Sequence, residues 1–507
     1  MSKYTMRKAL SALLAAVIMP VGVSCAVPQE KTREEVSEAG TVPGDEKIEL
    51  ALAGRLARDE FVDVQDVVTE VDKGVALLEG RVSTLTEKRR VNEIVANTRG
   101  VVSIVDRLRV KPSTRSDGNI EKDVKNALRL DPVTEGYEIS LAVKDAEVTL
   151  RGTVNSWREK HAAAWVAGDV CGVKNIENKL QIERREQRAD DEILQEVESC
   201  LEMDPYLDIA RIVIGVEDGK VTLKGKVGSL VQRERARQDA WVAGVEAVDV
   251  GSLEVSDKMG EPMIRREPPF TRSDREIEKA VKLALTYDPR CDINNIDVRV
   301  EPSGKVILNG SVNNMAAVHA AGDDVRNTLG VWSVKNHLRV VPPARVKDLA
   351  LAANVKQALK RDAVLTGRKI SALVRNGKVS LYGELESGYL QDRAEKVVSR
   401  VFGVVAVDNH IVSNGATDQK DDREILRGVA EEIHFDPVLD IKDIEVYVHD
   451  GTAVLNGEVS GRHELIEAVK CAFRGGAKAV RSRLSIEGSP DPYLGYLYAS
   501  KGWVAPL

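Results

Sequence analysis

Histidine, cysteine and paired aspartate are the side chains of this 507-residue chain that could do chemistry. A hydrolase needs a nucleophile beside a base, and a zinc site needs several ligands brought together. His161, His319, His337, His410, His434, His449 and His463 are scattered, with no His-Glu-x-x-His and no two histidines four apart. Cys171, Cys200, Cys291 and Cys471 fall at unrelated places and read as small core fillers rather than bridges or metal ligands. Asp190-Asp191, Asp323-Asp324 and Asp421-Asp422 lack the oxygen spacing of a calcium loop and suit helix caps or solvated faces. There is no Gly-x-Ser-x-Gly, no phosphate-binding loop and no Cys-x-x-Cys. These patterns imply no enzyme, no cofactor and no metal centre.

Two features suit binding instead. Basic residues gather in stretches that read as helices: Lys88, Arg89 and Arg90; Arg158 and Lys160; Arg233, Arg235 and Arg237; Arg393, Lys396 and Arg400. Anionic lipid headgroups favour such faces, at up to about 1 kcal/mol per positive charge near a surface. Interleaved Glu87, Glu159, Glu234 and Glu395 equally suit a plain solvated face. The second feature is the tail, 489–507, with Tyr493, Tyr496, Tyr498 and Trp503 in a chain only 4% aromatic. It suits a membrane interface, a partner, or folding back on the last repeat. A net charge of −7 with both signs interspersed excludes a general nucleic-acid role, which needs a concentrated basic surface.

The elements that position these residues are repeated six times. The phrase Gly219-Lys220-Val221-Thr222-Leu223-Lys224-Gly225 reads as a turn and the second strand of a hairpin. Its final glycine reads as a strand end, and recurs at 80, 152, 225, 310, 383 and 457. A helix precedes each hairpin, with stripes such as Ile193/Val197/Leu201 and Ile277/Val281/Leu285. Asp-Pro stops that helix at Asp131, Asp204, Asp288 and Asp436, while Asp59-Glu60 and Asp362-Ala363 predict softer stops. A second helix runs to a glycine cap at 100, 172, 244, 330, 403 and 476, and a third strand follows. The expected fold is α+β: tandem αββαβ domains, each a three-stranded mixed sheet with two helices on one face. Separate cores predict repeats that unfold semi-independently.

The predicted boundaries are a signal at 1–25, a spacer at 26–45, and repeats at 46–112, 116–184, 189–256, 272–341, 345–414 and 421–488. A linker at 257–271 breaks the period. The basic Lys3, Arg7 and Lys8 precede a short apolar run, the form of an export signal. Val21-Gly22-Val23-Ser24-Cys25 resembles a bacterial lipoprotein processing site, which would lipidate Cys25; cleavage after Ala26 is the alternative.

The repeated pattern resembles the BON domain family of bacterial envelope proteins. It is carried by Asp204-Pro205, Gly219, Val221, Leu223, Gly225 and Gly244-Val245, and again by Asp288-Pro289, Gly304 to Gly310, Gly330-Val331 and Asn336. The resemblance spans 46–487. It implies a periplasmic or outer-membrane place and an osmotic or envelope-stress role. It also implies binding to membrane phospholipid or, alternatively, a scaffold or chaperone-like role with other envelope proteins. No catalytic residues come with it.

Overall fold

The computed structural model describes residues 44–111, 114–183, 188–256, 272–302, 304–413, 420–439 and 444–487, with the backbone of 496–500. The signal with Cys25, the spacer up to 43, the 257–271 linker, and Tyr493 and Trp503 of the tail lie outside the described residues.

Repeat one comprises α1 (Asp45–Arg58), β1 (Val67–Asp72), β2 (Val75–Val82), α2 (Leu85–Ala96) and β3 (Ser103–Val110). Repeat two comprises α3 (Asp117–Leu130), β4 (Ser140–Lys144), β5 (Glu147–Val154), α4 (Trp157–Gly168) and β6 (Asn175–Ile182). Repeat three has α5 (Asp190–Met203), β7 (Ile212–Glu217), β8 (Lys220–Val227), α6 (Leu230–Asp239) and β9 (Ala247–Val255). In repeat four, α7 (Asp274–Tyr287), β10 (Ile296–Glu301), β11 (Lys305–Val312) and α8 (Met315–Arg326) precede a third strand in two pieces, β12 (Ser333–Asn336) and β13 (Arg339–Val340). Repeat five has α9 (Asp348–Arg361), β14 (Ile370–Arg375), β15 (Lys378–Leu385), α10 (Gly388–Ser399) and β16 (Ala406–Ser413). Repeat six has α11 (Asp422–Phe435), β17 (Ile444–His449), β18 (Thr452–Val459), α12 (Arg462–Arg474), β19 (Ala479–Ile486) and β20 (Tyr496–Ser500).

The expected mixed sheet is present in every repeat: an antiparallel hairpin, then a third strand parallel to its second. Repeat six gains a fourth strand, because β20 from the tail pairs antiparallel along β19. The predicted stripes are buried; Ile193, Val197 and Leu201 meet Val221, Leu223 and Leu253 in one core.

Two readings of local structure are corrected. Gly225 does not end its strand, since β8 continues to Val227. It has φ +127°, and a Cβ there would lie 2.1 Å from the carbonyl oxygen of Arg211. Glycine is therefore required by close backbone approach inside the sheet. Nor do repeats one and five have softer helix stops. All six first helices end at the aspartate: Asp59, Asp131, Asp204, Asp288, Asp362 and Asp436. In each, the carboxylate accepts the backbone N–H two residues on, from Phe61, Val133, Tyr206, Arg290, Val364 and Val438. This Asx turn ends the helix whether or not proline follows.

A second clamp ties helix to hairpin. The Asp190 carboxylate accepts the turn amides of Asp218 and Gly219, both at 2.9 Å, where Asp218 and Gly219 have φ +49° and +71°. Asp45, Asp117, Asp348 and Asp422 hold their own hairpin turns in the same way.

The repeats have their own cores but are not independent beads. They pair in a nested order, one with six, two with five, three with four. Arg99 donates its backbone N–H to Phe435 at 2.7 Å, Cys171 to Arg361 at 2.8 Å, and Leu329 to Met203 at 2.8 Å. The link is reciprocal in the middle pair, where Phe402 donates to Leu130 at 3.3 Å. Side chains at the start of the second helices join the pairs to one another. Leu85 packs against the core of repeat two, and Trp157 stacks on Trp241 of repeat three with centroids 5.4 Å apart. Leu230 closes the cycle in the core of repeat one, and Met315 packs on repeat five. Trp332 of repeat four joins the core of repeat six. The repeats all fall within one compact unit, Gly40–Leu507.

Gly225→Val forces a β-branched residue into a backbone region closed to it and against a carbonyl. It is expected to destabilise by about 3 kcal/mol or more. Because the cores are joined, calorimetry should show the transitions of several repeats moving together. A shift confined to one repeat would restore the picture of separate beads.

Candidate functional site

The helix-ending aspartates converge on the inter-repeat interfaces, and five of the six are 5% exposed or less. One oxygen fixes the Asx turn; the other side of the carboxylate takes a guanidinium. Arg90 lies 2.9 Å from Asp59, Arg235 2.6 Å from Asp204, and Arg393 2.6 Å from Asp362. Arg393 also reaches across to Asp169 of repeat two at 2.8 Å. Among the described residues no arginine of repeat two pairs with Asp131, and Arg400 of repeat five supplies one at 2.8 Å. Asp436 takes Arg474, and Asp288 takes Arg290 from its own turn. Across the first pair, Arg55 lies 3.2 Å from the buried Glu432.

Repeats two to five surround a cavity of about 780 Å³. Trp157, His161 and Trp165, at i, i+4 and i+8 on α4, stack along one wall with centroid separations of 4.9 and 5.6 Å. Arg237 covers Trp157 and Arg89 covers Trp165, at 5.0 and 4.2 Å from the ring centres. Asp204 with Asp239, and Asp288 with Asp324, form two carboxyl pairs on the same cavity. Burial, and then the neighbouring carboxylate, push Asp239 and Asp324 well above the usual carboxylate range.

The basic residues singled out from the sequence are placed as follows. Lys88 ion-pairs with Asp106 at 3.1 Å, and Arg89, Arg90, Arg235, Arg237, Arg393 and Arg400 make the internal contacts given above or, for Arg237, also a bond to Glu234. Arg158 and Lys396 line the cavity. Lys160 and Arg233 are half-buried on α4 and α6. Most of this set is thus engaged between or within repeats rather than gathered on one outer face. Cys471 is wholly buried, while Cys200 and Cys291 pack against the cores of their own repeats.

The aspartates carry more than the sequence reading gave them, since it used them only as helix stops. The signal was present: arginine stands 31 residues after Asp59, Asp204 and Asp362. Nothing in the sequence shows that Asp131 borrows its arginine from 269 residues away.

BON domain matches cover 44–112, 116–184, 189–257, 273–342, 347–415 and 421–488, most of the chain. The chain belongs to the BON domain family. Osmotically-inducible protein Y of Escherichia coli (strain K12) is 23% identical over 159 residues, covering 30% of this chain and 79% of that protein. Among solved structures, CdsD, a structural protein of the Type III secretion system of Chlamydia trachomatis, is 14% identical, covering 39% of this chain and 88% of its own. The PrgH periplasmic domain is also 14% identical, covering 42% and 96%. Both have a TM-score of 0.12, too low to carry an argument.

Arg393→Ala in this BON protein leaves Asp362 and Asp169 without their shared cation. Breaking a buried pair in this way costs about 3–5 kcal/mol, whereas Arg233→Ala is expected to stay within about 0.5 kcal/mol. Urea unfolding of the two variants checks this.

His463 packs edge-on against Tyr206 of repeat three at 5.2 Å, and burial depresses it to about 4. Arg235 disfavours its charging further, while Asp204 and Glu467 favour it. An unfolded histidine titrates near 6.5, so the unfolded chain takes up the proton first as pH falls. Stability is full above about 6.5 and declines toward 4, by roughly 3 kcal/mol from this group. His463→Gln should flatten that part of the stability–pH curve; an unchanged slope would remove His463 as its source.

Proposed function

We propose that this chain is an exported, non-enzymatic module of the bacterial cell envelope that binds phospholipid surfaces under osmotic stress. Membership of the BON family and the likeness to an osmotically inducible protein support the setting. The observation that carries the lipid contact is the outward sheet face of repeat one. Exposed Val68 and Val105 stand there beside Arg81, Arg107 and Arg109. Register sets Arg81 opposite Arg109, and Glu79 between Val68 and Arg107. Glu70, Asp72 and Glu79 share this face and Arg107 pairs with Glu79 at 2.8 Å, so Arg81 and Arg109 are the cations beside the valines, each worth about 1 kcal/mol against anionic lipid. On this reading the contact lies on a sheet, and the arginines of the second helices hold the body together. Lipidation at Cys25 would anchor the chain independently of that face.

One observation favours a second reading, a scaffold for envelope proteins. β20 pairs along β19, so the third-strand edge of this fold accepts an extended segment.

Flotation of the unlipidated chain with neutral and anionic liposomes separates the two. Headgroup-dependent flotation is expected, and Arg81→Glu with Arg109→Glu should reduce it at least tenfold at low salt. No flotation with either lipid would overturn the lipid reading. Intact-mass measurement of the exported protein tests Cys25: acyl mass at that residue is expected, and an unmodified chain beginning at Val27 refutes it.

A further inference from the structure

We propose that Asp288, Cys291 and Asp324 of repeat four bind a divalent transition-metal ion of the zinc class. Asp288 ends α7, Cys291 lies in the turn after it, and Asp324 sits on α8. One ligand atom from each lies within 4.8 Å of the other two. Small closing motions would bring them to the roughly 2.0–2.3 Å that zinc requires from oxygen and sulfur.

The other repeats show what this place normally holds. Where repeats one, three and five put Arg90, Arg235 and Arg393 on the helix-ending aspartate, the residue at the same distance in repeat four is His319. Arg290 takes that arginine's place, bonding both oxygens of Asp288 from the turn, while Asp324 and Cys291 feel its charge without a hydrogen bond to it. Oδ2 of Asp324 is buried with no partner beyond the neighbouring Asp288, and Oδ2 of Asp239 in repeat three is placed alike beside Asp204. Repeat six gives the sharper comparison. The cluster at the same helix end there is Asp436, Glu467 and Cys471, again two carboxylates and a thiol, with the thiol on α12 rather than in the turn. There the Arg474 guanidinium fills the space, 2.9 Å from Asp436, 2.9 Å from Glu467 and 3.0 Å from Cys471 Sγ. Repeat four has a like donor set without a guanidinium spanning it. A compact cation would relieve two adjacent carboxylates there.

Access and selectivity follow from the surroundings. Asp288 and Asp324 line the cavity of repeats two to five, which gives the ion a path. A thiolate among the ligands favours zinc-like ions over calcium or magnesium. Coordination needs the thiolate, so the thiol proton leaves to solvent as the ion binds. Arg158 and Arg290 face the carboxylates and limit affinity without closing the site. Repeat three is a control within the same chain, because its carboxyl pair, Asp204 and Asp239, has Leu207 where repeat four has Cys291.

The test uses the freshly reduced full chain with Zn²⁺ by calorimetry and with Co²⁺ by absorption. One ion per chain is expected, with a near-ultraviolet sulfur-to-cobalt band. Cys291→Ser should abolish the band, Asp324→Asn should weaken Zn²⁺ at least tenfold, and Cys200→Ser should change neither. Both site variants preserve side-chain size, and matched melting curves of the metal-free proteins exclude misfolding. Absence of saturable Zn²⁺ binding, or a cobalt band that survives Cys291→Ser, overturns the proposal.

Discussion

A buried aspartate at the end of each first helix is the constraint on which the rest of the structure depends. Its carboxylate does two jobs at once. One oxygen closes an Asx turn that stops the helix and launches the chain toward the hairpin. The charge that remains is too costly to bury alone, so every copy is matched by a guanidinium. Three of those arginines come from the second helix of the same repeat at fixed spacing, which braces the two helices over the sheet. Arg474 comes from the end of the second helix at a longer spacing, Arg290 from the turn itself and Arg400 from another repeat. Arg400 turns an internal brace into a bond between repeats two and five.

The same helix end carries the backbone contacts that pair the repeats. The carbonyl just before the aspartate accepts an amide from the second helix's end in the partner repeat. Polar groups at a helix terminus must find partners, and here the end of the partner repeat's second helix provides one for the end of the first. Duplicated units meeting through equivalent surfaces behave like subunits of a symmetric oligomer joined in one chain. The nesting of one with six, two with five and three with four makes partners of the two repeats on either side of the longest interval in the period.

This packing redistributes the surface. The second helices, rich in arginine and lysine, turn inward to ion pairs, to stacked tryptophans and to the cavity. The outer faces of the sheets stay exposed, with Val68, Val105 and Val213 among the large apolar side chains on them. Variation among the repeats also becomes meaningful. Where the second-helix arginine is replaced by histidine in repeat four, the guanidinium on the helix-ending aspartate comes from Arg290 in the turn instead.

The repeat, the order of elements in each unit, the buried stripes and the mixed sheet are legible in the chain's own residues. These depend on interactions within a few tens of residues: periodic apolar positions, left-handed turn residues and glycine caps. Half of the aspartate–arginine braces were legible as a fixed interval. The packing of repeats was not, because Arg400 on Asp131 or Trp332 in the core of repeat six leaves no periodic trace. Nor could the sequence say which face of the second helix is buried, since its cations alternate with acids and suit water or an ion-paired interface equally well. Only the tertiary structure decided that. Burying a charge requires a partner brought close in space, and distance along the chain does not fix distance in the fold.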